Sequence, residues 1–263
     1  MPSLPLLTRL RVLTPLFELD RIAAIPFPEF RGLPPNRFRV RVGVGNRILF
    51  NQAFFLASGA HQAMRLFGLG LARSDSNILD LGSGCGRLAI ALRDGGSYHG
   101  TYTGIDVDQE MVRWCERSVS GPSFRFVHAD VHNAVYNPSG SRDPYLVPVA
   151  DGSQQLVTSS SLFSHLLEPD LDHYMTEALR VLTDAGVMAM TVFCLEDMEA
   201  HGELGGRWTF PHRVGQAHVQ NPRYPEAAVA YERAYLLDAA RAAGFASAEV
   251  LPYPIQSMLV CRR

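Results

Sequence analysis

The chain has 263 residues, with 24 basic side chains against 26 acidic ones and a formal net charge of -2. Every basic residue is an arginine, so there is no lysine for a Schiff base, a P-loop or a Ser-Lys pair. The near-neutral balance speaks against a non-specific nucleic-acid binder, and 47% hydrophobic against 19% charged residues excludes a disordered chain.

Residues 1–70 hold seven of the seventeen prolines and read as an N-terminal cap or lid. Met1 to Phe17 is mildly apolar, but Arg9, Arg11 and Pro15 interrupt it, unlike a signal peptide. Arg37 to Val42 alternates strictly and predicts a half-buried strand, with Phe38, Val40 and Val42 on one face. Its arginines are then either solvated on an edge or part of a lid whose Arg41 reaches a ligand carboxylate. Gln52 to Leu71 reads as a helix.

The region 71–263 is more regular. Strands are predicted at Ile78–Leu81, Thr101–Asp106, Phe124–Asp130, Gln155–Ser160 and Met188–Phe193. Helices are predicted between them at Gly86–Arg93, Asp108–Ser118 and Glu168–Leu182. Such alternation builds a doubly wound α/β fold, a parallel sheet with helices on both faces. Glu196 to Ala230 is too long for a strand-to-helix connection of ~2–6 residues and reads as an insertion that binds something. A helix over Ala230–Ala243 and two strands, Ser247–Pro252 and Gln256–Cys261, complete the chain. No apolar run reaches the ~18–20 residues of a membrane span. Cys85, Cys115, Cys194 and Cys261 form no CxxC pair and read as the reduced thiols of a cytoplasmic protein.

The sharpest signal is Asn77-Ile-Leu-Asp-Leu-Gly-Ser-Gly-Cys-Gly-Arg-Leu88. A strand feeds a loop with Gly82, Gly84 and Gly86, and a helix follows at once. Glycines at alternate positions let the backbone turn sharply and a ligand approach the main chain. Helix-start N–H groups then favour negative charge. The spacing is G-x-G-x-G, with Arg87 where a dinucleotide fingerprint has its third glycine. Asp106 ends the next strand, where a carboxylate can take ribose hydroxyls. Asp130 ends the third, where a carboxylate can accept from an adenine amino group beside Val131.

This set resembles the class I S-adenosylmethionine-dependent methyltransferases. Asp80-Leu-Gly-Ser-Gly-Cys-Gly-Arg87 matches the first motif, Gly104-Ile-Asp106 the ribose motif and Ala129-Asp130-Val131 the adenine motif. Ser159-Ser-Ser-Leu-Phe-Ser-His165 and Glu177 to Val187 follow in the family's order. One departure is Asp184-Ala185-Gly186, where the family often has Pro-Gly-Gly. The resemblance implies a Rossmann-like, mostly parallel seven-stranded sheet whose final strand is antiparallel. It implies S-adenosyl-L-methionine as cofactor, held by Asp80, Gly82, Ser83, Gly84, Gly86, Asp106, Val107, Asp130, Val131 and Ser160, with Arg41 available for the cofactor carboxylate.

Methyl transfer is an in-line displacement, so such an enzyme mainly positions the acceptor. An oxygen acceptor also needs a general base, most often histidine. His165, after strand four, is the first candidate, and His201 the second. Asp197 and His201, in Glu196-Asp-Met-Glu-Ala-His201, could hold Mg²⁺ against two vicinal hydroxyls. Trp208 and Tyr224 of the insertion offer an apolar or stackable face for a sugar, glycolipid or secondary metabolite. Asn221-Pro-Arg-Tyr224 looks like the box of amino-methylating enzymes but lies in the wrong place, since Ser159-Ser160-Ser161 follows strand four. The expectation is therefore a small-molecule O-methyltransferase, not a nucleic-acid partner. N- or C-methylation, RNA or protein methylation and a catalytically silent relative are the rivals. A homodimer stays open.

Overall fold

In a computed structural model, the described residues are 19, 20, 22, 24–43, 50–133 and 137–263. The reading of Met1 to Phe17 lies outside them. The chain divides into two compact units, Met1–Ser74 with Ser83–Asp143, and Asp75–Gly82 with Pro144–Arg263.

In the first unit the helices are α1 (Asn36–Arg39), α2 (Gln52–Gly68), α3 (Arg87–Asp94) and α4 (Gln109–Ser118), and the strands are β2 (Tyr102–Asp106) and β3 (Phe124–His128). The pair β2–β3 is parallel, with Asp106 opposite His128. Asp108 caps α4 by accepting from the Glu110 and Met111 N–H groups, which stabilises the first turn. Helix α2 packs on α3 through Gly59, where a Cβ would stand 2.7 Å from the Arg87 carbonyl.

The predicted strand Arg37–Val42 is instead the short helix α1, entered from Pro35. Asn36, Phe38 and Arg39 are its buried residues. The alternation had placed all three arginines on one exposed face. Burial of Arg39 overrides that, because its guanidinium meets the Asp20 carboxylate, the Pro34 carbonyl and, at 2.6 Å, Asn51 Oδ1. A buried arginine with a paired carboxylate and hydrogen bonds is tolerated where a lone one is not.

In the second unit the strands are β1 (Ile78–Leu81), β4 (Gln154–Ser159), β5 (Leu182–Cys194), β6 (His212–Val214), β7 (Ala217–Val219), β8 (Val229–Tyr231), β9 (Ser247–Leu251) and β10 (Ser257–Arg262). The helices are α5 (Glu168–Val181), α6 (Leu195–Ala200) and α7 (Arg233–Ala243). Strands β1, β4 and β5 pair in parallel, and β10 runs antiparallel to β5 and β9. This is the expected mostly parallel α/β fold with an antiparallel last strand. All seven strands predicted over residues 71–263 form.

Three further strands, β6 to β8, come from the insertion. β8 pairs in parallel with the last two residues of β5, Phe193 and Cys194, and antiparallel with β7. It therefore takes Ala230 and Tyr231 from the predicted helix, which begins at Arg233. A three-residue buried strand carries too few residues for period-two alternation to show. Helix α7 ends at Gly244, whose φ of 102° supplies the left-handed cap. The four cysteines are buried and free. Among the described residues no helix is long and apolar enough to cross a membrane.

Candidate functional site

The glycine loop starts from β1, whose four residues are all buried, Asp80 included. Gly82, Gly84 and Gly86 take φ values of 76°, 54° and 77°. In that region an ordinary side chain costs about 1–2 kcal/mol. Gly84 is also closed in by a neighbour, since a Cβ would stand 2.7 Å from Val42 Cγ1. Ser83 donates its N–H to the Ile105 carbonyl at 3.0 Å, which ties the loop to β2. Its Oγ is buried without a hydrogen-bond partner. A buried hydroxyl left unpaired is costly and marks a place where a ligand group is wanted.

Asp106 holds the loop from the other side. Its Oδ2 accepts from the Gly84 N–H at 2.7 Å and its Oδ1 from the Asp108 N–H at 2.8 Å. A carboxylate oxygen has two lone pairs, so each retains one acceptor site for a hydroxyl. Burial pushes the carboxyl above its ordinary range, and the backbone donors at Asp108 and Gly84 pull it back. Val107 is half-buried, and its carbonyl meets His128 Nε2 at 3.2 Å. Asp130 is exposed, with Oδ1 accepting from Asn137 Nδ2 at 3.0 Å beside the half-buried Val131. The same amide reaches the Val131 carbonyl at 3.1 Å. Asn137 was invisible to sequence reading because it lies in a polar stretch without period.

Buried orphan, glycine cradle and spare carboxylate acceptors fit S-adenosylmethionine. Arg41 has a carboxylate partner within the chain. The guanidinium is paired with Asp108 in a contact largely shielded from solvent. The carboxylate that caps α4 thus also positions Arg41.

The second constellation follows β4. Ser160 follows the strand end at Ser159, and Ser161 adopts φ 70°, in the left-handed region that glycine usually occupies. Three bonds hold it there. Its N–H donates to Thr191 Oγ1 at 2.7 Å, its Oγ to Gln256 Oε1 at 2.9 Å, and its carbonyl accepts from Ser164 Oγ at 2.7 Å. Leu162 lies under Gly82, 3.2 Å from where a Cβ would be.

The turn Phe163–His165 then presents His165. Its Nδ1 lies 2.8 Å from the Glu226 carbonyl oxygen. A carbonyl only accepts, so Nδ1 carries the proton and Nε2 keeps its lone pair. Burial lowers the His165 pKa, offset in part by that bond and by the charge of Glu226. Glu226 Oε2 is itself buried without a hydrogen-bond partner. Neither Gln256 nor Glu226 stood out in the sequence, being single polar residues in loops.

The other candidates are placed elsewhere. Asp197 is buried; its carboxylate pairs with Arg233 and accepts from Ser257 Oγ. His201 is exposed at the end of α6. Among the described residues no group of three or more His, Cys, Asp or Glu could hold a metal ion. The metal expectation for Asp197 and His201 is corrected on that ground, since the carboxylate is spent on tying α6 to α7 and β10. Trp208 packs at 4.7 Å on the Phe193 ring, within a cluster of Phe193, Met198, Phe210, Ala228 and Ala230. It builds the insertion's own core. Tyr224 is 64% exposed.

Residues 78–186 match the family model described as a methyltransferase domain. A S-adenosylmethionine-dependent methyltransferase from Methanosarcina mazei shares 16% identity, with 75% of this chain and 96% of that one covered and a TM-score of 0.51. A protein from Pyrococcus horikoshii shares 15%, with 78% and 90% covered and a TM-score of 0.54. Both are similar in fold.

Proposed function

We propose that the chain, whose residues 78–186 match a methyltransferase domain, methylates a hydroxyl of a small molecule from S-adenosylmethionine, with His165 as general base. The sugar, glycolipid and secondary-metabolite classes are the acceptors in view. The observation that carries this reading is the His165 ring, protonated at Nδ1 by its bond to Glu226 and held neutral by burial. A neutral imidazole with a free Nε2 is the form a base must have at the start of turnover.

Bound S-adenosylmethionine supplies an electrophilic methyl on a sulfonium. In this reading the glycine loop and Ser83 approach the cofactor through main chain and hydroxyl, and Asp106 takes the ribose. Val107, Asp130, Val131 and Ser160 complete its binding. When bound, the cofactor would supply the methyl to the acceptor oxygen, the electron pair of the C–S bond remaining on sulfur. The acceptor proton passes to His165 Nε2 and then to water. Residues 1–70 act as a cap, 71–263 as the catalytic region and 196–230 as the acceptor-binding insertion, with Tyr224 as its exposed aromatic contact. Mg²⁺ has no part in this reading, because Asp197 is committed to Arg233 and Ser257.

The test is transfer of labelled methyl to a panel of hydroxylated, amino and carbon-nucleophile acceptors, with the product site located by NMR. Methyl on oxygen is expected. Methyl found on nitrogen or carbon alone would overturn the proposal.

A further inference from the structure

Among the described residues, most buried carboxylates have a cation to answer them. Asp20 meets Arg39, Asp108 meets Arg41, Glu177 meets Arg180 and Asp197 meets Arg233. Without lysine, only arginine and histidine can serve. Glu226 is different. It belongs to the turn Pro225–Ala227, its Oε2 is sealed from solvent, and no donor reaches that atom. A carboxylate oxygen so placed is costly unless a positive charge or a donor arrives. The turn carrying His165 packs on the turn carrying Glu226, and the Glu226 carbonyl already takes the ring's Nδ1–H at 2.8 Å.

We infer that Glu226 is a positioning residue for His165: its main chain fixes the ring so that Nε2 faces the reaction, and its unpaired carboxylate balances the imidazolium formed when the acceptor proton arrives. This rests on the reading of His165 as base. One residue thus supplies both the orientation and the counter-charge.

The elements packed against the His165 turn are β5, β8 and the Pro225–Ala227 turn. Their titratable residues are Asp184 and Cys194 on β5, Tyr231 on β8, and Glu226. Tyr231 donates its hydroxyl to the Leu166 carbonyl at 2.9 Å, and Cys194 bonds Glu196 at 3.3 Å. Asp184 lies exposed near the start of β5, whereas β8 meets that strand at Phe193 and Cys194. Glu168, three residues past His165, accepts from the Gln216 N–H. Glu226 is the charged group that bears on His165.

The experiment is NMR titration of the histidine rings in the full chain, with the His165 signal assigned through His165→Asn. In the wild type, ¹⁵N shifts should show Nδ1 protonated and Nε2 bare above the midpoint. Glu226→Gln should lower that midpoint by about 0.5–1 unit, the effect of losing one nearby opposite charge. Glu226→Asp, which keeps the charge, should lower it less. A wild-type ring protonated at Nε2, or an unmoved midpoint in folded Glu226→Gln, would overturn the inference; the first readout needs no variant. Undiminished methyl transfer by His165→Ala would instead remove the base reading, while the coupling of ring and carboxylate in the titration stood.

Discussion

The turn after β1 and the turn after β4 both leave a buried strand, and both contain left-handed residues. After β1 these are Gly82, Gly84 and Gly86. After β4 it is Ser161. Glycine enters that region at no steric cost, so the first turn needs little help and its spacing is visible in the sequence. Serine must be held, and its partners Thr191 and Gln256 lie 30 and 95 residues away in the chain. In the proposed function the first turn offers main-chain groups to the cofactor, and the second offers side chains, His165 above all. A backbone cradle can be read from composition; a side-chain constellation assembled from distant segments cannot.

The widest contrast should appear on removing a side chain from each region. His165→Ala is expected to slow methyl transfer by about 10²–10⁴-fold, the usual worth of a general base. Its cofactor affinity, measured by calorimetry, should be unchanged. Asp106→Ala should do the reverse at the binding step, weakening S-adenosylmethionine by about 1–3 kcal/mol, the cost of lost charge-assisted hydrogen bonds. If His165→Ala lost cofactor and Asp106→Ala did not, the division of labour between the two turns would fail.

A smaller effect tests the strain itself. At Ser161, alanine keeps the left-handed penalty and loses the Oγ bond to Gln256. Glycine loses the same bond but escapes the penalty of about 1–2 kcal/mol, less the 0.5–1 kcal/mol or so that glycine costs in chain entropy. Ser161→Gly should therefore unfold at higher denaturant than Ser161→Ala, by about 0.5–1 kcal/mol. At Gly84 the same order holds. Gly84→Ala should be the destabilised partner of its wild type, by about 1–3 kcal/mol, because φ and the Val42 contact both oppose a Cβ. Equal stabilities for the two Ser161 variants would mean the turn is not strained.

Legibility in the sequence follows the same line. The seven strands of the sheet and the helices after them show in apolar runs and caps such as Asp108. The glycine loop, Asp106 and Asp130 show in spacing. Arg37–Val42 misled because alternation cannot see that Asp20 and Asn51 would bury Arg39. Trp208 and Asp197 show that chemistry-bearing residues are also good structural material: one packs on the Phe193 cluster, the other pins Arg233. Glu226 and Gln256 were missed because their meaning lies in which atoms they meet, and nothing local announces that.

The last and smallest effect concerns pH. Burial holds the His165 pKa in the folded chain below its ordinary value of 6.5. The unfolded chain then binds more protons at His165 than the folded one in the window between the two pKa values. Stability must rise with pH there and fall on acidification from about 6.5. Below the folded pKa both states are protonated and the His165 contribution no longer changes. His165→Asn should flatten this part of the stability profile, read from denaturant midpoints at closely spaced pH. Glu226→Gln, by removing the charge that favours the imidazolium, should deepen it and carry it to lower pH. The comparison is then sharpened at a residue absent from the first turn, since the cradle of glycines has no group that titrates in this range. A profile that His165→Asn left untouched would place the ring in a solvated setting, at odds with the buried base proposed for the second turn.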